Sequence, residues 1–339
     1  MPQPPISVVI TCYNLEAFIG KAIESVLAQR DPGDVEIIAV DDCSTDRSAE
    51  IIQSFDAITY VRTPSNGGVL LAMLEGVARA RNDIVCLLDG DDLWERDKLA
   101  ATRAAFDHDS KLALATHDLR FVDGEGRVLH RRSRPGEILS PLDPGTAADR
   151  VRQGILELQD YVWLGSALSF RRSLARWEDF AEFARQLPDP RNCYQDWPLA
   201  YWIAALRDVH LSYVAEPLFR YRLHGQNHSG DTRTVQRALR NFTRTRNTRE
   251  AIALIAERRD LPPQLKNIAR QSVAIAAAQV DLYSGRRARA LGHLAQGVPL
   301  AWRDGLLGKE MTRFAIGTLF GAAALIRLTA PVRSAVPET

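Results

Sequence analysis

Short runs of apolar, largely β-branched residues alternate with helical patterns through the first 115 residues of this 339-residue chain. Such runs are typical of strands buried on both faces, and helices between them imply parallel pairing. We therefore predict an α/β fold with a doubly wound, mostly parallel sheet flanked by helices. The predicted strands are ISVVIT (6–11), VEIIAVDD (35–42), ITYVRT (58–63) and DIVCLLDGDD (83–92). The predicted helices are 17–29, a short helix from near Thr45, and 69–80.

Acidic residues close two of the predicted strands. Asp41 and Asp42 end the second strand, and Asp89, Asp91 and Asp92 end the fourth. Ligands of doubly wound sheets bind at the carboxyl ends of the strands, and a bound cation would relieve the repulsion among clustered carboxylates. Asp-Asp and Asp-Gly pairs also form simple turns, which is the alternative for either group taken alone. Two groups at separate strand ends favour a metal–nucleotide site.

Motifs of other nucleotide-binding and hydrolytic folds are missing from the sequence. No GxGxxG follows a strand and no GxxxxGK[ST] occurs, so dinucleotide-binding and P-loop folds lose support. The sequence also has no GxSxG elbow of a serine hydrolase. The candidate chemistry therefore rests on the carboxylates.

The net charge of the chain is only +1, which disfavours a nucleic-acid partner because phosphate binding needs a basic surplus. This total conceals an asymmetry. Residues 1–230 contain 25 basic against 34 acidic residues, whereas residues 231–339 contain 18 against 8. We expect the two parts to have different roles.

The four cysteines are widely spaced and form no CxxC pair, which favours reduced thiols in the cytoplasm. The first apolar run has no charged segment before it, so no secretory signal is expected. No apolar stretch reaches the roughly 18 residues that suggest a spanning helix. We expect a cytoplasmic protein that is not integral to a membrane.

Three segments match a known family in their order and spacing. They are SVVITCYNLEAFIGKAIESVLAQ, IIAVDDCSTDRSAEII and SNGGVLLAMLEGVARARNDIVCLLDGDDLWERDKL. Together they resemble the bacterial family 2 glycosyltransferases, which have the GT-A fold. The resemblance covers about residues 5–230 and implies an inverting enzyme that takes a sugar from a nucleotide diphosphate sugar, with Mn²⁺ or Mg²⁺ as the metal. The sequence has no QxxRW motif, which disfavours a processive polysaccharide synthase.

The resemblance also implies a domain organisation. Residues 1–230 would form the GT-A catalytic domain, with a nucleotide-sugar half over 1–115 and an acceptor half over 116–230. Residues 231–339 would form a basic, helical C-terminal region. Acceptor and donor specificity would depend on the loops around 120–160 and on Trp163.

The family motifs imply roles for residues at the nucleotide-sugar end. Thr11 and Tyr13 resemble the first-strand residues that line the nucleoside, with Tyr13 near the base. Asp42 resembles the carboxylate that hydrogen-bonds the nucleobase, and Asp92 would orient sugar hydroxyls. Met73 and Leu74 stand where the family often has Arg and Asn, which weakens the expectation that the next helix contacts the nucleotide. Cys43 stands at the common Gly of the family's DGS turn, which a turn tolerates at modest cost.

The sequence Asp89-Gly90-Asp91 matches the family's DxD motif. The match implies that Asp91 ligates the metal and that Asp89 holds the ribose or a metal-bound water. His224, late in the chain, would be a third metal ligand, and Arg222 would lie near the diphosphate. A lone histidine is more often structural or exposed, which is the alternative for His224.

The acceptor half carries a candidate base. VWLGSALSFRRSL (162–174) resembles the family's glycine-containing strand under the acceptor pocket. Asp196 matches the second residue of the ED motif that opens a helix, with Gln195 in place of the usual Glu, and would be the general base. A helix N-terminus lowers an acid's pKa, so burial beside Trp197 or Tyr194 would have to raise it. The alternative is that Asp196 is only a helix cap.

The region 231–339 has helical patterns throughout and four arginines on one helix face. We predict helices at 250–259, 265–283 and 286–296, and an apolar segment flanked by arginine at Met311 to Leu328. Such a basic region fits peripheral attachment to the anionic inner face of the plasma membrane. Packing within the chain and homodimer formation are the alternatives. The four arginines are Arg233, Arg237, Arg240 and Arg244.

The sequence therefore favours sugar transfer from a nucleotide diphosphate sugar, with a UDP-sugar as the expected donor and a glycan or lipid-linked acceptor, in cell-surface polysaccharide or glycolipid assembly. The nucleotide itself, UDP, GDP or dTDP, is not decided by the residues. One alternative is a nucleotidyltransferase on a similar sheet, although TCYNLEAF (11–18) is not the Gly-rich basic loop that class needs after strand one. The other alternative is a non-catalytic module that binds a nucleotide or a glycan.

Overall fold

The computed structural model describes residues 4–131, 133–159, 161–162, 165–224, 234–304, 311–312 and 314–317. Contacts among these residues divide the chain into two compact units. The first unit consists of 4–224 together with Leu254–Leu261, and the second consists of 234–253 together with 262–317. A catalytic domain that ends at residue 230 stays a prediction.

Within the described residues, the first unit is built on one eight-stranded sheet with the order β3-β2-β1-β4-β7-β6-β8-β5. The pairings among β1 to β4 are all parallel, as is β6 with β8, while β7 and β5 pair antiparallel to their neighbours. The strands are β1 (Ile6–Cys12), β2 (Val35–Asp41), β3 (Thr59–Arg62), β4 (Ile84–Asp89), β5 (Leu93–Trp94), β6 (Leu112–Val122), β7 (Ser169–Arg171) and β8 (His210–Arg222).

Helices follow most of these strands. The helices are α1 (Ile19–Leu27), α2 (Ser48–Gln53), α3 (Val69–Arg79), α4 (Lys98–His108), α5 (Arg134–Leu139), α6 (Pro144–Leu156), α7 (Arg172–Ala175), α8 (Trp177–Arg185) and α9 (Asp196–Ala204), with a 3-10 turn at Gly165–Ala167. The predicted doubly wound α/β sheet flanked by helices is confirmed.

The strand order reverses beside β1, which fixes the position of the site. The chain runs outward from β1 to β2 and β3, and then returns to place β4 on the other side of β1. Thr11 of β1 lies in register with Asp89 of β4, at the carboxyl ends of both strands. In open α/β sheets a ligand crevice forms at this kind of switch point.

Helix α3 packs closely on the sheet and explains two departures from the family pattern. Met73 and Leu74 are buried, at 0% and 1% exposure, so both belong to the core under the sheet. A side chain in place of Gly76 would put its Cβ 2.4 Å from Val9 and 2.9 Å from Val40. The helix therefore turns an apolar face and a glycine toward the strands.

The acceptor half differs locally from its prediction. The segment 162–174 was expected to hold a glycine-containing strand, and its described part holds the Gly165–Ala167 turn, then the short strand β7 and helix α7. The backbone of Gly165 has a φ of +54°, in the left-handed region, which interrupts an extended strand. Trp163 lies outside the described residues.

The second unit is helical. It contains most of helix α10 (Val235–Arg258), and α11 (Pro263–Tyr283) and α12 (Arg287–Arg303) form a hairpin. Helix α10 begins well before the predicted 250–259, and α12 continues past 296 in spite of Pro299. In the hairpin, a Cβ at Gly297 would lie 2.5 Å from Ile275, so the two helices approach closely there.

Two predictions for the C-terminal region involve residues that the structure describes only in part. Arg233 lies outside the described residues, while Arg237 and Arg244 are half-buried on α10 and Arg240 is exposed. Most of the apolar segment 311–328 also lies outside them. Among the described residues, no helix has the length and hydropathy needed to cross a membrane.

Candidate active site

The turn after β4 brings the DxD carboxylates to the carboxyl edge of the sheet. The Gly90 amide donates to the carbonyl of Thr11 at 2.9 Å, which fastens the turn to β1. A Cβ at Gly90 would lie 2.9 Å from that same carbonyl oxygen, closer than real Cβ contacts. Only glycine therefore fits between Asp89 and Asp91.

Asp89 is held from two elements. Its Oδ1 accepts from Nε2 of Gln195 at 2.6 Å and from the hydroxyl of Thr11 at 3.3 Å. Burial, together with the charges of Asp91 and Asp196, raises the pKa of Asp89 to about 7. Gln195 can donate at any pH, whereas a glutamate at this position would need a proton to do so.

Asp91 and His224 form the pair at the outer side of the DxD turn. Their Oδ2 and Nε2 atoms are 3.1 Å apart, and the side chains are 20% and 5% exposed, respectively. The imidazole ring of His224 lies against the ring of Phe18, with centroids 4.2 Å apart. His224 thus contacts the DxD motif, and its role as a metal ligand stays a prediction.

Asp92 lies behind the other two acids and is 2% exposed. Its oxygens accept from the Ser166 hydroxyl at 2.7 Å and from the Arg222 amide at 3.0 Å. Burial, followed by the charges of Asp91 and Asp89, raises its pKa well above the usual value. Asp92 therefore ties β8 and the Gly165–Ala167 turn to the DxD turn, and its contact with sugar hydroxyls stays a prediction.

Arg222, at the end of β8, is fully buried. Its Nε donates to the carbonyl of Asp91 at 2.8 Å and one terminal nitrogen donates to the carbonyl of Gly124 at 2.9 Å. The guanidinium also lies over the ring of Phe18, 5.1 Å from its centroid. These contacts hold the backbone of Asp91, and the expected position near a diphosphate stays a prediction.

Asp196 is the first residue of α9, and Gln195 is the residue before the helix. Its oxygens accept from the amides of Gly165 and Trp197, each at 2.9 Å. Burial raises the pKa of Asp196, and the hydrogen bonds from the Trp197 and Gly165 amides offset this only in part. The predicted source of the elevation, burial, is the dominant cause here.

Gly165 lies between the two halves of the site. A Cβ on Gly165 would lie 3.5 Å from Oδ2 of Asp89 and 3.8 Å from Oδ2 of Asp196. One glycine thus separates the DxD motif from the candidate base. The cluster at this edge is contributed by β4 and the turn after it, by the start of α9 and by the segment after β8. It consists of Asp89, Asp91, Asp92, Asp196 and His224.

Asp42 has a different environment from the DxD acids. Its oxygens accept from the amides of Gly67 and Gly68 at 2.8 and 2.7 Å and from the Thr63 hydroxyl at 2.9 Å. Asp42 thereby fixes the loop before α3, where a Cβ at Gly68 would collide with the Arg191 carbonyl at 2.1 Å. Its predicted contact with a nucleobase, and those of Thr11 and Tyr13 with the nucleoside, stay predictions.

The turn after β2 contains one of the departures from the family pattern. Cys43 occupies the family's usual glycine position and has a φ of +62°. The left-handed region is where glycine is favoured, so the cysteine here carries a modest conformational cost. A hydrogen bond from the Ser44 amide to the Asp41 side chain, at 2.8 Å, stabilises this turn.

Among the described residues, no group of three or more His, Cys, Asp or Glu side chains is arranged to hold a metal ion. Asp91 and His224 supply two groups that can ligate a metal, and these groups lie within hydrogen-bonding distance of each other. Metal ions at nucleotide sites commonly use one or two carboxylates together with substrate phosphates. The pair is therefore suited to such a site, while the three-ligand set of Asp89, Asp91 and His224 stays a prediction.

A comparison with known families identifies a domain in the first half of the chain. Residues 7–164 match the model of Glycosyl transferase family 2. The protein carries a family 2 glycosyltransferase domain. The matched range contains β1 to β6 and the DxD motif, the parts on which the resemblance in sequence rests.

Relatives of the family 2 domain are bacterial. An uncharacterized glycosyltransferase of Nostoc sp. is 36% identical over 140 residues, which is 40% of this chain and 42% of the relative. TuaG of Bacillus subtilis, whose name places it in teichuronic acid biosynthesis, is 38% identical over 101 residues, or 29% of this chain and 40% of the relative. The chain thus matches less than half the length of these relatives.

Solved structures similar to the chain share its fold. Residues 1–349 of S. aureus TarS, in complex with UDP-GlcNAc, give a TM-score of 0.61 at 16% identity, covering 95% of this chain and 89% of TarS 1–349. The mannosyltransferase PcManGT of Pyrobaculum calidifontis, in complex with GDP-Man and Mn²⁺, gives 0.54 at 18% identity, covering 94% and 88%. Both likenesses confirm the GT-A fold of the family 2 domain.

Two residues that contact the site, Ser166 and Phe18, were not predicted from the sequence. Ser166 donates to Asp92 and accepts from the amide of Asp89 at 3.0 Å, and Phe18 lies against His224. The only signal for Ser166 was its position after the glycine of a recognised motif. Phe18 lies between β1 and α1, where nothing in the sequence indicates a contact with the end of β8.

The Gly165→Ala variant should lose transfer activity by about 10-fold or more, because its methyl group fills the space between Asp89 and Asp196. The left-handed backbone should also cost about 1 kcal/mol of stability. Gly285→Ala is the matched control, since Gly285 has a φ of +76° and open space around its Cβ. Both variants should lower the Tm similarly in thermal denaturation, and equal activities would contradict the placement of Gly165.

Proposed function

We propose that the protein is an inverting, metal-dependent glycosyltransferase that moves a sugar from a nucleotide diphosphate sugar to an acceptor hydroxyl. The observation that carries this proposal is the placement of Asp196 beside the DxD acids, with Gly165 between Asp89 and Asp196. A donor bound at the DxD motif and a base that faces the acceptor are the two requirements of a single-displacement sugar transfer.

Asp196 suits the role of the base that takes the proton from the acceptor hydroxyl. Burial raises its pKa from the usual range of aspartate, so the carboxylate is a stronger base than an exposed one. The amides of Gly165 and Trp197 hold its two oxygens in a fixed orientation. Attack on the face opposite the departing nucleotide diphosphate would give inversion at the anomeric carbon.

The metal would be held by Asp91 and His224, with Asp89 close behind. Carboxylate and imidazole are donors that Mn²⁺ accepts, and a nucleotide diphosphate supplies further oxygens. When bound, Mn²⁺ or Mg²⁺ would neutralise charge that develops on the departing diphosphate. Arg222 contributes by holding the Asp91 backbone through its carbonyl.

A UDP-sugar is the donor we favour, and surface polysaccharide or glycolipid assembly is the setting. The TarS neighbour with UDP-GlcNAc supports a nucleotide-sugar donor, and the GDP-Man complex of PcManGT leaves the nucleotide open. The names of TuaG and of the colanic acid relative WcaA of Escherichia coli support polysaccharide assembly. A cytoplasmic location, and contact of 231–339 with the membrane or with a second copy, remain predictions from the sequence.

The proposal is tested by the stability and turnover of the full chain with a panel of UDP-, GDP- and dTDP-sugars. A bound donor should raise the Tm, and Mn²⁺ should increase that shift, because a ligand that binds only the native state stabilises it. Release of nucleoside diphosphate should follow with a suitable acceptor and stop with EDTA. Binding without turnover across acceptors would instead indicate a non-catalytic module, and a product with retained anomeric configuration would contradict inversion.

A further inference from the structure

Lys98, the first residue of α4, is 1% exposed and lies in the interior of the first unit. Its ammonium group contacts Nε2 of His117 at 2.6 Å, the carbonyl of Ala167 at 3.3 Å and the hydroxyl of Ser169 at 3.1 Å. An ammonium group has three N–H donors, so these contacts use all of them. None of the three acceptors is a carboxylate.

The protonation of the Lys98–His117 contact follows from its geometry. Nδ1 of His117 is 2.8 Å from the carbonyl of Asp118, which can only accept, so Nδ1 carries the hydrogen and Nε2 accepts from Lys98. Burial lowers the pKa of Lys98 to about 8, and it lowers the pKa of His117 well below 6.5. At neutral pH the pair is thus an ammonium and a neutral imidazole.

The acceptors of Lys98 belong to the segment that carries the active-site contacts. The Gly165–Ala167 turn donates its first amide to Asp196 and the Ser166 hydroxyl to Asp92. The carbonyl of Ala167, the last residue of this turn, accepts from Lys98. The same short turn therefore contacts the catalytic carboxylates on one side and a buried cation on the other.

A buried charge is costly to desolvate, and Lys98 has no opposite charge among its three acceptors to offset that cost. Its three bonds converge on β6, on the turn and on the first residue of β7. Removing the ammonium would leave a buried carbonyl and a buried hydroxyl without their donor. The segment 165–169 would keep its bonds to β4, such as that from the Leu87 amide to the Leu168 carbonyl, but would lose its only described support from α4.

We propose that Lys98 is a positioning residue for sugar transfer, which fixes the Gly165–Ala167 turn from behind so that Gly165 and Ser166 hold Asp196 and Asp92 in register with the DxD motif. This inference rests on the proposed function, in which Asp196 is the base. A displacement of about 1 Å at a reacting group can cost about 100-fold in rate.

The test compares Lys98→Met with Arg103→Met in the full chain. Arg103 is a second buried cation on α4, 4% exposed, and it donates to the carbonyls of Pro4, Asp31 and Asp34, away from the turn. Both variants should lower the Tm. Lys98→Met should lower kcat about 10- to 100-fold with the KM for donor within about 3-fold, while Arg103→Met should keep the wild-type kcat.

A folded Lys98→Met variant with the kcat of Arg103→Met would overturn the inference. If Lys98→Met does not fold, Ser169→Ala decides, since it removes one acceptor and leaves the charge. Faster hydrogen exchange at the Gly165 amide and a lower kcat are expected for Ser169→Ala, and wild-type values of both would overturn the inference. Undiminished transfer by Asp196→Asn would instead overturn the proposed base, whatever Lys98→Met does.

Discussion

Asp196→Asn should abolish measurable transfer while the protein still binds its nucleotide sugar. The amide cannot take the proton of the acceptor hydroxyl, and loss of a general base costs about 10²- to 10⁴-fold in rate. Asparagine has the same shape, and its one oxygen can still accept from the Gly165 amide at 2.9 Å, although the bond from the Trp197 amide is then lost. The fold should therefore be retained with at most a small fall in Tm. The measurement is the initial rate of transfer at saturating donor, beside the Tm shift that donor produces.

Asp143→Asn is the matched control for the interpretation of Asp196 as a mere helix residue. Asp143 caps α6 by accepting from the Thr146 amide at 3.0 Å, outside the carboxylate cluster. Asparagine is as good a cap as aspartate, so this variant should keep wild-type rate and stability. If Asp196→Asn behaved like Asp143→Asn, with full transfer and an unchanged Tm, Asp196 would be a structural residue only.

The pH dependence gives an independent check on the same residue. The base works when ionised, so the rate should fall as pH drops through its pKa in the enzyme. Because burial raises the pKa of Asp196, this fall should occur at higher pH than for an ordinary aspartate. A rate that stays constant down to the usual range of an exposed aspartate would contradict the burial argument.

The first half of the fold was predictable because its signals are local. Strands β1, β2 and β4 are mostly buried runs of apolar residues, while β3 is short and partly exposed. All four begin within one residue of the predicted start and end within one residue of the predicted end, except β4, which ends at Asp89 and not at 92. The DxD acids could be placed because a carboxylate at the end of a parallel strand has to lie at the carboxyl edge of the sheet. Periodicity and strand direction together are enough to assemble this edge.

The second half of the site depends on distant contacts that no local pattern contains. Gly165 has a left-handed backbone, and the Ser166 hydroxyl bonds the Asp89 amide and the Asp92 carboxylate, which lie more than 70 residues earlier in the chain. Arg222 was expected near the diphosphate, and the structure turns its side chain onto the carbonyls of Asp91 and Gly124. An arginine in a strand pattern gives no information about which of several acceptors it will find.

Gln195 shows how a departure from a family pattern can be explained once the structure is known. The sequence indicates only that an amide replaces the usual glutamate. In the structure the amide donates to Asp89 at 2.6 Å, beside a carboxyl group whose pKa is already raised by burial. Replacing a would-be negative charge with a donor removes one repulsion from a crowded cluster. The substitution is thus compatible with an active site.

Asp91→Asn should lower metal-dependent transfer by about 10²- to 10³-fold, the cost of removing one group that stabilises developing charge. The amide is a weaker donor to a divalent ion than the carboxylate, so the Mn²⁺ concentration for half-maximal activity should rise as well. Arg222 binds the backbone carbonyl of Asp91, not its side chain, so the turn should keep its shape. The measurement is the transfer rate across a Mn²⁺ titration.

The chain offers a control with the same pair chemistry outside the site. The carboxylate of Asp109 is hydrogen-bonded to Nδ1 of His210 at 2.7 Å, just as the carboxylate of Asp91 is hydrogen-bonded to Nε2 of His224 at 3.1 Å. Asp109→Asn should therefore test the loss of an Asp–His contact without the loss of a ligand, and its Mn²⁺ titration should match that of the wild type. If Asp91→Asn retained full transfer with the wild-type Mn²⁺ dependence, the metal assignment would be wrong, because the carboxylate would then contribute no more than its counterpart on the surface.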